Sequence, residues 1–546
     1  MGVRGASRAR HATMPRAQRR LANAVAVKSI TTKPRAPRLR DTVPTKTPSQ
    51  PWGLAGGAAL MVLFRLLDRT IGVLSVLLLA RLLTPADFGL VAMAMSVVAL
   101  IELMSAFGFD SALIQRADVE RRHMDTAWTF QVIFGAATAL LLLLLAMPAA
   151  SFYQDPRIAG ILPVLALSSL LGGLANIGPV MFRKELDFTR EFKFLLAKRL
   201  VGFVATLAAA LLLRNYWALV VGMVVGAAAS LAISYALHPY RPRLSLAASV
   251  ELLHFSKWIF VSSLVQYVQG HADRLILGRL VGARELGLYS LAHEVATLPA
   301  TAVIAPINRA VFPAYAALNQ DMAALQLRFI SVMGVVAALA LPLSAALAML
   351  AAPTVALLLG PQWTGSEALL PWFVIAGLVS ALQGNLYALI VALGQPQKST
   401  LVLLIVTAIQ LPMLALASVY YGVVGAAMAH AVAALIGLIP LHVVFFRLTR
   451  FSWGAYLRCF PRPLVACAAA ALALVGFEHV TPSALLAWPL LHLALGGGCF
   501  AVAYVMLMWL QWRLAGRPPA GPEHEAIVRL TQLMRPPSRE DGAQRP

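Results

Sequence analysis

Acidic residues are scarce in this chain. It has 23 Asp and Glu against 45 Lys and Arg, and only 12% of its residues are charged. A soluble domain carries more charge than that on its surface, so the composition excludes an ordinary water-soluble enzyme. Cysteine is scarcer still. Cys459, Cys467 and Cys499 are the whole set, all late and in apolar surroundings, and no pair has metal-ligand spacing. No metal site is expected. There is no phosphate-cradling Walker loop and no nucleophile elbow. No connection is long enough for a soluble catalytic domain, which argues against a membrane-bound glycosyltransferase or polymerase. The expectation is a protein that is not an enzyme and holds no cofactor. Without a nucleotide-binding loop, its energy would come from a Na+ or H+ gradient, the membrane potential or substrate flux.

Apolar residues are abundant, at 60% of the chain with a mean hydropathy of +0.76. Repeated apolar runs of about 20 residues predict an all-α integral membrane protein. Fourteen spans can be drawn. The first six run at about 56–80, 88–109, 127–150, 158–182, 194–213 and 216–237. The next six run at about 256–280, 285–308, 329–351, 366–392, 400–420 and 423–446. Two more follow at about 463–479 and 485–510. With the N-terminus inside, only five Lys/Arg fall in the outside connections (Arg81, Arg157, Arg214, Arg279 and Arg284), against 19 in the inside ones. That bias predicts cytoplasmic termini.

The division expected is a basic cytoplasmic tail (1–54), a first lobe (55–237), an inter-lobe linker (238–255), a second lobe (256–446), a terminal helix pair (461–510) and a C-terminal tail (511–546). Residues 1–50 hold 12 Lys/Arg and one acid, Asp41, but no aromatic residue to stack a base. That tail suits anionic lipid headgroups better than nucleic acid. Tryptophans such as Trp217 and Trp363 near span ends are expected in an interfacial belt. Pro299, Pro306, Pro342, Pro412 and Pro440 are expected to break helices locally.

The chain repeats itself. LARLLTPADFGLVAMA (79–94) aligns with LGRLVGARELGLYSLA (277–292) at an offset of 198, pairing Arg81 with Arg279 and Gly89 with Gly287. Asp68-Arg69 recurs as Asp273-Arg274. Span 1 then matches span 7, and both run outward. Such halves are parallel repeats about an axis along the membrane normal, the arrangement of transporters that rock around a central site.

These stretches resemble the Wzx-type polysaccharide flippases of the multidrug/oligosaccharidyl-lipid/polysaccharide (MOP) exporter superfamily. The matching residues are Ala80, Arg81, Leu82, Leu83, Pro85, Phe88 and Gly89, then Asp273, Arg274, Gly278, Arg279, Gly282, Leu286, Gly287, Tyr289 and Ala292. FRKELDF (182–188) and Arg309, Phe312 and Pro313 of NRAVFPAYAAL fit as well. The branch most similar is that of colanic-acid and teichuronic-acid exporters.

The resemblance implies two pseudo-symmetric six-helix lobes around a central cavity, with spans 13 and 14 as an extra pair. It implies a flippase in the bacterial inner membrane for undecaprenyl-diphosphate-linked oligosaccharide, working beside a polymerase and chain-length machinery. The tail of such a substrate can stay in lipid while its diphosphate needs cationic partners. Arg65, Arg69 and Arg274 lie within spans and are the expected diphosphate ligands. Arg65 and Arg69 share a helix face. Asp68, Glu102, His271, Asp273 and Glu294 are candidates for ion or proton coupling, since ionisable residues at that depth are costly. His293 could join a proton relay. His430 and His442 are expected to make structural hydrogen bonds. The alternative is a cation-coupled multidrug exporter of the same superfamily, whose cavity would favour acids over arginines. A peptidoglycan-precursor flippase would share the fold.

Overall fold

The computed structural model describes residues 53–103, 108–116 and 118–516, and all regular structure among them is helical. The expected tails lie outside the described residues for 1–52 and 517–546. The first half of the chain supplies α1 (Gly53–Leu82), α2 (Pro85–Glu102), α3 (Phe109–Gln115), α4 (Arg121–Tyr153), α5 (Arg157–Leu174), α6 (Val180–Lys184), α7 (Phe188–Leu213) and α8 (Trp217–Leu237). The second half opens with α9 (Ser249–Ala296), a π-helix (Pro299–Ile304) and α10 (Ala305–Ala317). It continues with α11 (Met322–Met349), α12 (Ala351–Leu358), α13 (Ser366–Ala392), α14 (Pro396–Thr449) and α15 (Trp453–Leu457). The described chain closes with α16 (Pro461–Val480), α17 (Ser483–Leu486) and α18 (Pro489–Leu514).

Among the described residues, 11 helices are long and apolar enough to cross a bilayer. The 30-residue α1 is not one of them, because Arg65, Asp68, Arg69 and Arg81 interrupt its apolar run. Two of the 11 are too long for one crossing. Gly270–Ala317 has 48 residues and Pro396–Thr449 has 54, whereas about 20 residues span the hydrocarbon. Each contains one glycine off the helical path: Gly282 at φ 82°, ψ 176°, and Gly422 at φ 61°, ψ −148°. Residues with a Cβ avoid both conformations. The expected break at 420–422 therefore falls on Gly422. The expected break between the spans at 256–280 and 285–308 contracts to Gly282 alone, with helix on either side. Pro342, Pro412 and Pro440 break nothing and sit inside continuous helices. Pro299 and Pro306 mark changes of helix type, the first at the head of the π-helix and the second in the opening turn of α10 that follows it.

The start of α2 follows from its sequence. Thr84 is the N-cap, Pro85 opens the helix, and Asp87 completes a capping box: Asp87 Oδ2 accepts from Thr84 N at 2.9 Å, and Thr84 Oγ1 accepts from Asp87 N at 3.4 Å. This entry aims α2 along α9, and the contact is a backbone seam. A Cβ on Gly89 would lie 1.6 Å from the Ala283 carbonyl oxygen, and one on Gly287 would lie 1.8 Å from that of Pro85. Residues 85 and 283, like 89 and 287, are one repeat apart, so the two contacts are images of each other. In lipid, apolar surface gains little by leaving its surroundings, so close backbone approach at small residues drives helix association. Leu90, Met93 and Ala94 of α2 and Leu286, Tyr289 and Ala292 of α9 bury themselves around the seam.

Polar clips reinforce the same end of the bundle. Arg81 donates to the Leu357 carbonyl, and at 3.4 Å to that of Ala356. Trp363 Nε1 and Gln362 Nε2 donate to the Ala80 carbonyl at 2.8 and 2.6 Å. Trp363 is fully buried, so it is an inter-half bolt and not a belt residue. The α16–α18 pair packs on α11 through Ala466, Ala470, Leu474 and Phe500, and Tyr504 donates to the Ala338 carbonyl at 2.8 Å.

Candidate functional site

A cavity of about 1490 Å³ lies within the helices of the first half and reaches α9 at Tyr267 and His271. It sits towards the end opposite the seam, because Asp110 of α3 and Arg183 of α6 line it. Glycine makes the room. Gly135 and Gly173 bring α4 and α5 into backbone contact, Gly202 and Gly226 face each other across α7 and α8, and Gly222 packs on Thr206. All five line the cavity, where larger side chains would fill it.

The lining is charged with both signs. Asp68, Glu102 and Asp110 are its carboxylates, and Arg183, Lys198 and Arg199 its cations. Arg199 Nε stands 3.0 Å from Asp68 Oδ1, with side chains 40% and 47% exposed. Arg183 Nε donates to the buried Glu191 carboxylate at 2.8 Å. Burial pushes the Asp110 carboxyl above its ordinary range, and the positive charge of Arg183 opposes that. The Tyr267 and His271 rings stack with centroids 5.6 Å apart, and Tyr267 donates to the Ser96 carbonyl at 3.3 Å.

Of the residues singled out from sequence, Asp68, Glu102 and His271 come together on this lining. Arg65, Arg69, Asp273, Arg274 and Glu294 are not on it. Arg65 and Glu294 are exposed. Arg69 Nη2 reaches Thr301 Oγ1 at 2.7 Å, tying α1 to the π-helix. Asp273 Oδ1 accepts from Arg274 N at 2.8 Å, and its Oδ2 accepts from the Tyr289 hydroxyl at 3.4 Å. This marks a second polar cluster, in the second half. The His293 and His430 rings stand 5.2 Å apart, both against Phe373, and His430 Nδ1 lies 3.0 Å from Gln410 Nε2. His442 makes structural hydrogen bonds, to the Leu438 carbonyl at 2.7 Å and the Tyr456 hydroxyl at 2.9 Å. The motif residues Arg81, Pro85, Gly89 and Gly287, expected around the turns between spans, lie in helices instead and build the inter-half seam. Gly278 packs beneath Tyr153, and Arg279 is exposed.

Lys198 and Arg199 were missed, because they read as loop cations in the charge count. Asp187 caps α7 by accepting from Arg190 N at 3.0 Å, so the helix starts at Phe188 and both residues lie about three turns inside it. The Asp187-x-x-Arg190 helix start, which opens at the end of FRKELDF (182–188), was the available signal. Among the described residues, no cluster of His, Cys, Asp and Glu is arranged to hold a metal.

This layout is that of an all-helical, multi-pass membrane protein. It superposes on the lipid II flippase MurJ in its inward closed conformation with a TM-score of 0.69 at 12% identity, over 84% of this chain and 100% of that one. An inward-facing multidrug resistance MATE family transporter of the MOP superfamily superposes with a TM-score of 0.52 at 17% identity, over 70% of this chain and 96% of that one. Both likenesses are of fold.

Residues 78–368 match the polysaccharide biosynthesis protein family, and the chain belongs to it. This is the Wzx-like family to which the repeated motifs pointed, one of multi-pass bacterial membrane transporters and not of enzymes. Among its relatives, the lipopolysaccharide biosynthesis protein WzxC of Escherichia coli (strain K12) is 26% identical over 330 residues, 59% of this chain and 66% of that protein. The succinoglycan biosynthesis transport protein ExoT of Rhizobium meliloti (strain 1021) is 25% identical over 288 residues, 52% of this chain and 58% of that protein. The teichuronic acid biosynthesis protein TuaB of Bacillus subtilis (strain 168) is 22% identical over 298 residues, 54% of this chain and 62% of that protein. The match thus spans less than two thirds of each of these relatives.

Proposed function

We propose that this protein flips undecaprenyl-diphosphate-linked glycan repeat units across the bacterial inner membrane for polysaccharide biosynthesis. The observation that carries the reading is the cavity lined by Arg183, Lys198 and Arg199. At about 1490 Å³ it exceeds the roughly 300–1,000 Å³ of ordinary small-molecule pockets, leaving room for an oligosaccharide head. Its cations supply what a diphosphate leaving water requires.

Breaking α9–α10 at Gly282 and α14 at Gly422, and counting α1, turns the 11 long helices into fourteen spans. These form two six-helix lobes (55–237 and 256–446) joined by a linker (238–255), with a terminal pair (461–510). Both termini are cytoplasmic in this reading, so the seam lies at the outer end and the cavity opens inward. The halves rock to expose it alternately. Arg65, Arg69 and Arg274 receive the diphosphate as it passes between the halves. Asp68, Glu102, His271, Asp273 and Glu294 couple that movement to a Na+ or H+ gradient. Partners are the lipid-linked glycan, the bilayer and the polymerase with its chain-length machinery.

The test is restoration of surface glycan in a bacterium lacking its own flippase but supplied with the cognate glycan pathway. Wild type should restore it. Arg199→Gln, Lys198→Gln and the Arg65→Ala, Arg69→Ala and Arg274→Ala variants, present at wild-type abundance, should not. Restoration by all five variants would remove these cations from the mechanism. The carboxylates Asp68, Glu102 and Asp110 on the same lining favour a second reading, a cation-coupled multidrug exporter. Efflux of cationic drugs with no glycan restored would establish that one instead.

A further inference from the structure

The pairing of Asp68 with Arg199 is unusual for its place. Both residues line a large cavity and are partly exposed to it, and they come from different helices, α1 and α7. The contact is close at 3.0 Å, yet Arg199 Nε is buried and makes no hydrogen bond with any described residue. The pair is held by charge without hydrogen-bond alignment. Strength in an arginine–carboxylate pair comes from aligned, bidentate bonds, which an oxygen beside a misaligned Nε does not supply. A strut between two helices would be expected to use that geometry.

The guanidinium also has a seat built for it. A Cβ on Gly72, one turn beyond Asp68 on α1, would come within 3.0 Å of Arg199 Nη2. Glycine at that position leaves room for the end of the guanidinium beside α1. The same lining also holds Lys198, its neighbour on α7, and His271 of α9, whose buried Nδ1 has no hydrogen-bond partner among the described residues. Two buried ring or guanidinium nitrogens without partners, and a lysine, thus line one cavity.

We infer that Arg199 is the cavity's anion receiver and that Asp68 is its resident counter-ion, exchanged for the diphosphate of a lipid-linked sugar when substrate enters. Asp68 neutralises Arg199 while the cavity holds only water, which limits the cost of a cation at that depth. An incoming diphosphate carries more charge and more acceptor oxygens than one carboxylate, and offers the guanidinium fork a bidentate partner. Asp68 then turns from counter-ion to repulsive neighbour, which favours movement of the head onward. The inference rests on the flippase reading for the identity of the diphosphate, and the exchange itself needs only an anion.

An exchange mechanism gives the two members of one ion pair opposite effects, and a strut gives them the same effect. The full chain in lipid nanodiscs is titrated with inorganic pyrophosphate and with farnesyl diphosphate, by calorimetry, with melting temperature recorded alongside. Asp68→Asn removes the competitor and should tighten binding of both probes about tenfold, whereas Arg199→Gln should weaken it about tenfold or abolish it. Arg199→Lys keeps charge without the fork and should fall between.

Weakening by both substitutions, or no change by either, with folding preserved, would overturn the exchange. If Asp68→Asn fails to fold, Gly72→Ala serves in its place. It crowds only the mobile end of the guanidinium, and unchanged pyrophosphate affinity there would equally overturn the assignment. Binding of pyrophosphate but not farnesyl diphosphate would overturn the lipid-borne source. Opposite-signed binding effects in a protein that restores no surface glycan would sink the flippase reading and leave the anion site standing.

Discussion

Asp87 does at residue scale what the sequence half reveals. Its Oδ2 caps α2 by accepting from Thr84 N at 2.9 Å and Thr84 Oγ1 at 2.6 Å. Its Oδ1 accepts from Tyr216 N at 2.9 Å, at the entry to α8. The cap was legible, since Thr-Pro-x-Asp is a helix start. The tie to Tyr216 was not, because no local pattern announces a partner 129 positions away. Asp87→Ala should cost about 1–3 kcal/mol, more than the loss of a cap alone, because the Tyr216 amide is stranded as well. Asp87→Asn keeps one acceptor and should cost less. Thermal melting in nanodiscs ranks the two, and equal costs would mean the Tyr216 contact contributes nothing.

His238, just past α8, makes a pH prediction. Burial, then the charges of Arg190 and Arg241, lower its pKa from 6.5 to about 4. The fold therefore holds the neutral ring, whose Nδ1 accepts from Tyr240 N at 3.1 Å. With the folded value below the unfolded one, this contribution is present above pH 6.5 and is lost as pH falls through 4. His238→Phe should flatten the fall in melting temperature between those limits. An unchanged pH profile would show that the ring does not carry it.

At the scale of elements, hydropathy located the helices well and their interruptions poorly. Period and length identify an apolar helix, so α4, α7, α13 and α18 lie close to the expected spans. The prolines misled because a proline in a membrane helix frees only one carbonyl, which neighbouring groups re-satisfy. The breaks instead fall where φ turns positive, and only the gaps between the expected spans, at 280–285 and 420–423, hinted at them. At Gly282 and Gly422 a Cβ would meet nothing within 4 Å, so any penalty there is purely one of backbone strain. Gly282→Ala and Gly422→Ala should each lower stability by about 1–3 kcal/mol. Gly160→Ala, where a Cβ is equally unopposed and φ is ordinary, should be neutral or better. Equal melting temperatures for all three would show that the two breaks tolerate other backbone conformations.

For the whole molecule, the repeat was the most informative sequence feature, and it also concealed something. Alignment showed that Gly89 and Gly287 correspond. It could not show that they meet, because equivalent positions of two repeats need not touch. In the structure they do, each against a backbone oxygen of the other's helix. Arg199 was illegible for a related reason: its meaning depends on Asp68 from another helix, and a charge count sees only one chain segment at a time. A seam of backbone on backbone cannot yield to an added methyl by rotating a side chain, so Gly89→Ala and Gly287→Ala should each force α2 from α9. Reciprocal geometry predicts similar losses from the two. If the seam is the outer closure, parting it should also favour the state open on that side. Leu90 reports on this, being fully buried beside Gly89. In a chain with Cys459, Cys467 and Cys499 replaced by alanine, Leu90→Cys should resist a membrane-impermeant maleimide added outside intact cells. The same thiol should react when Gly287→Ala is added. Protection that persists in a folded Gly287→Ala protein would show that these halves do not part along the glycine seam.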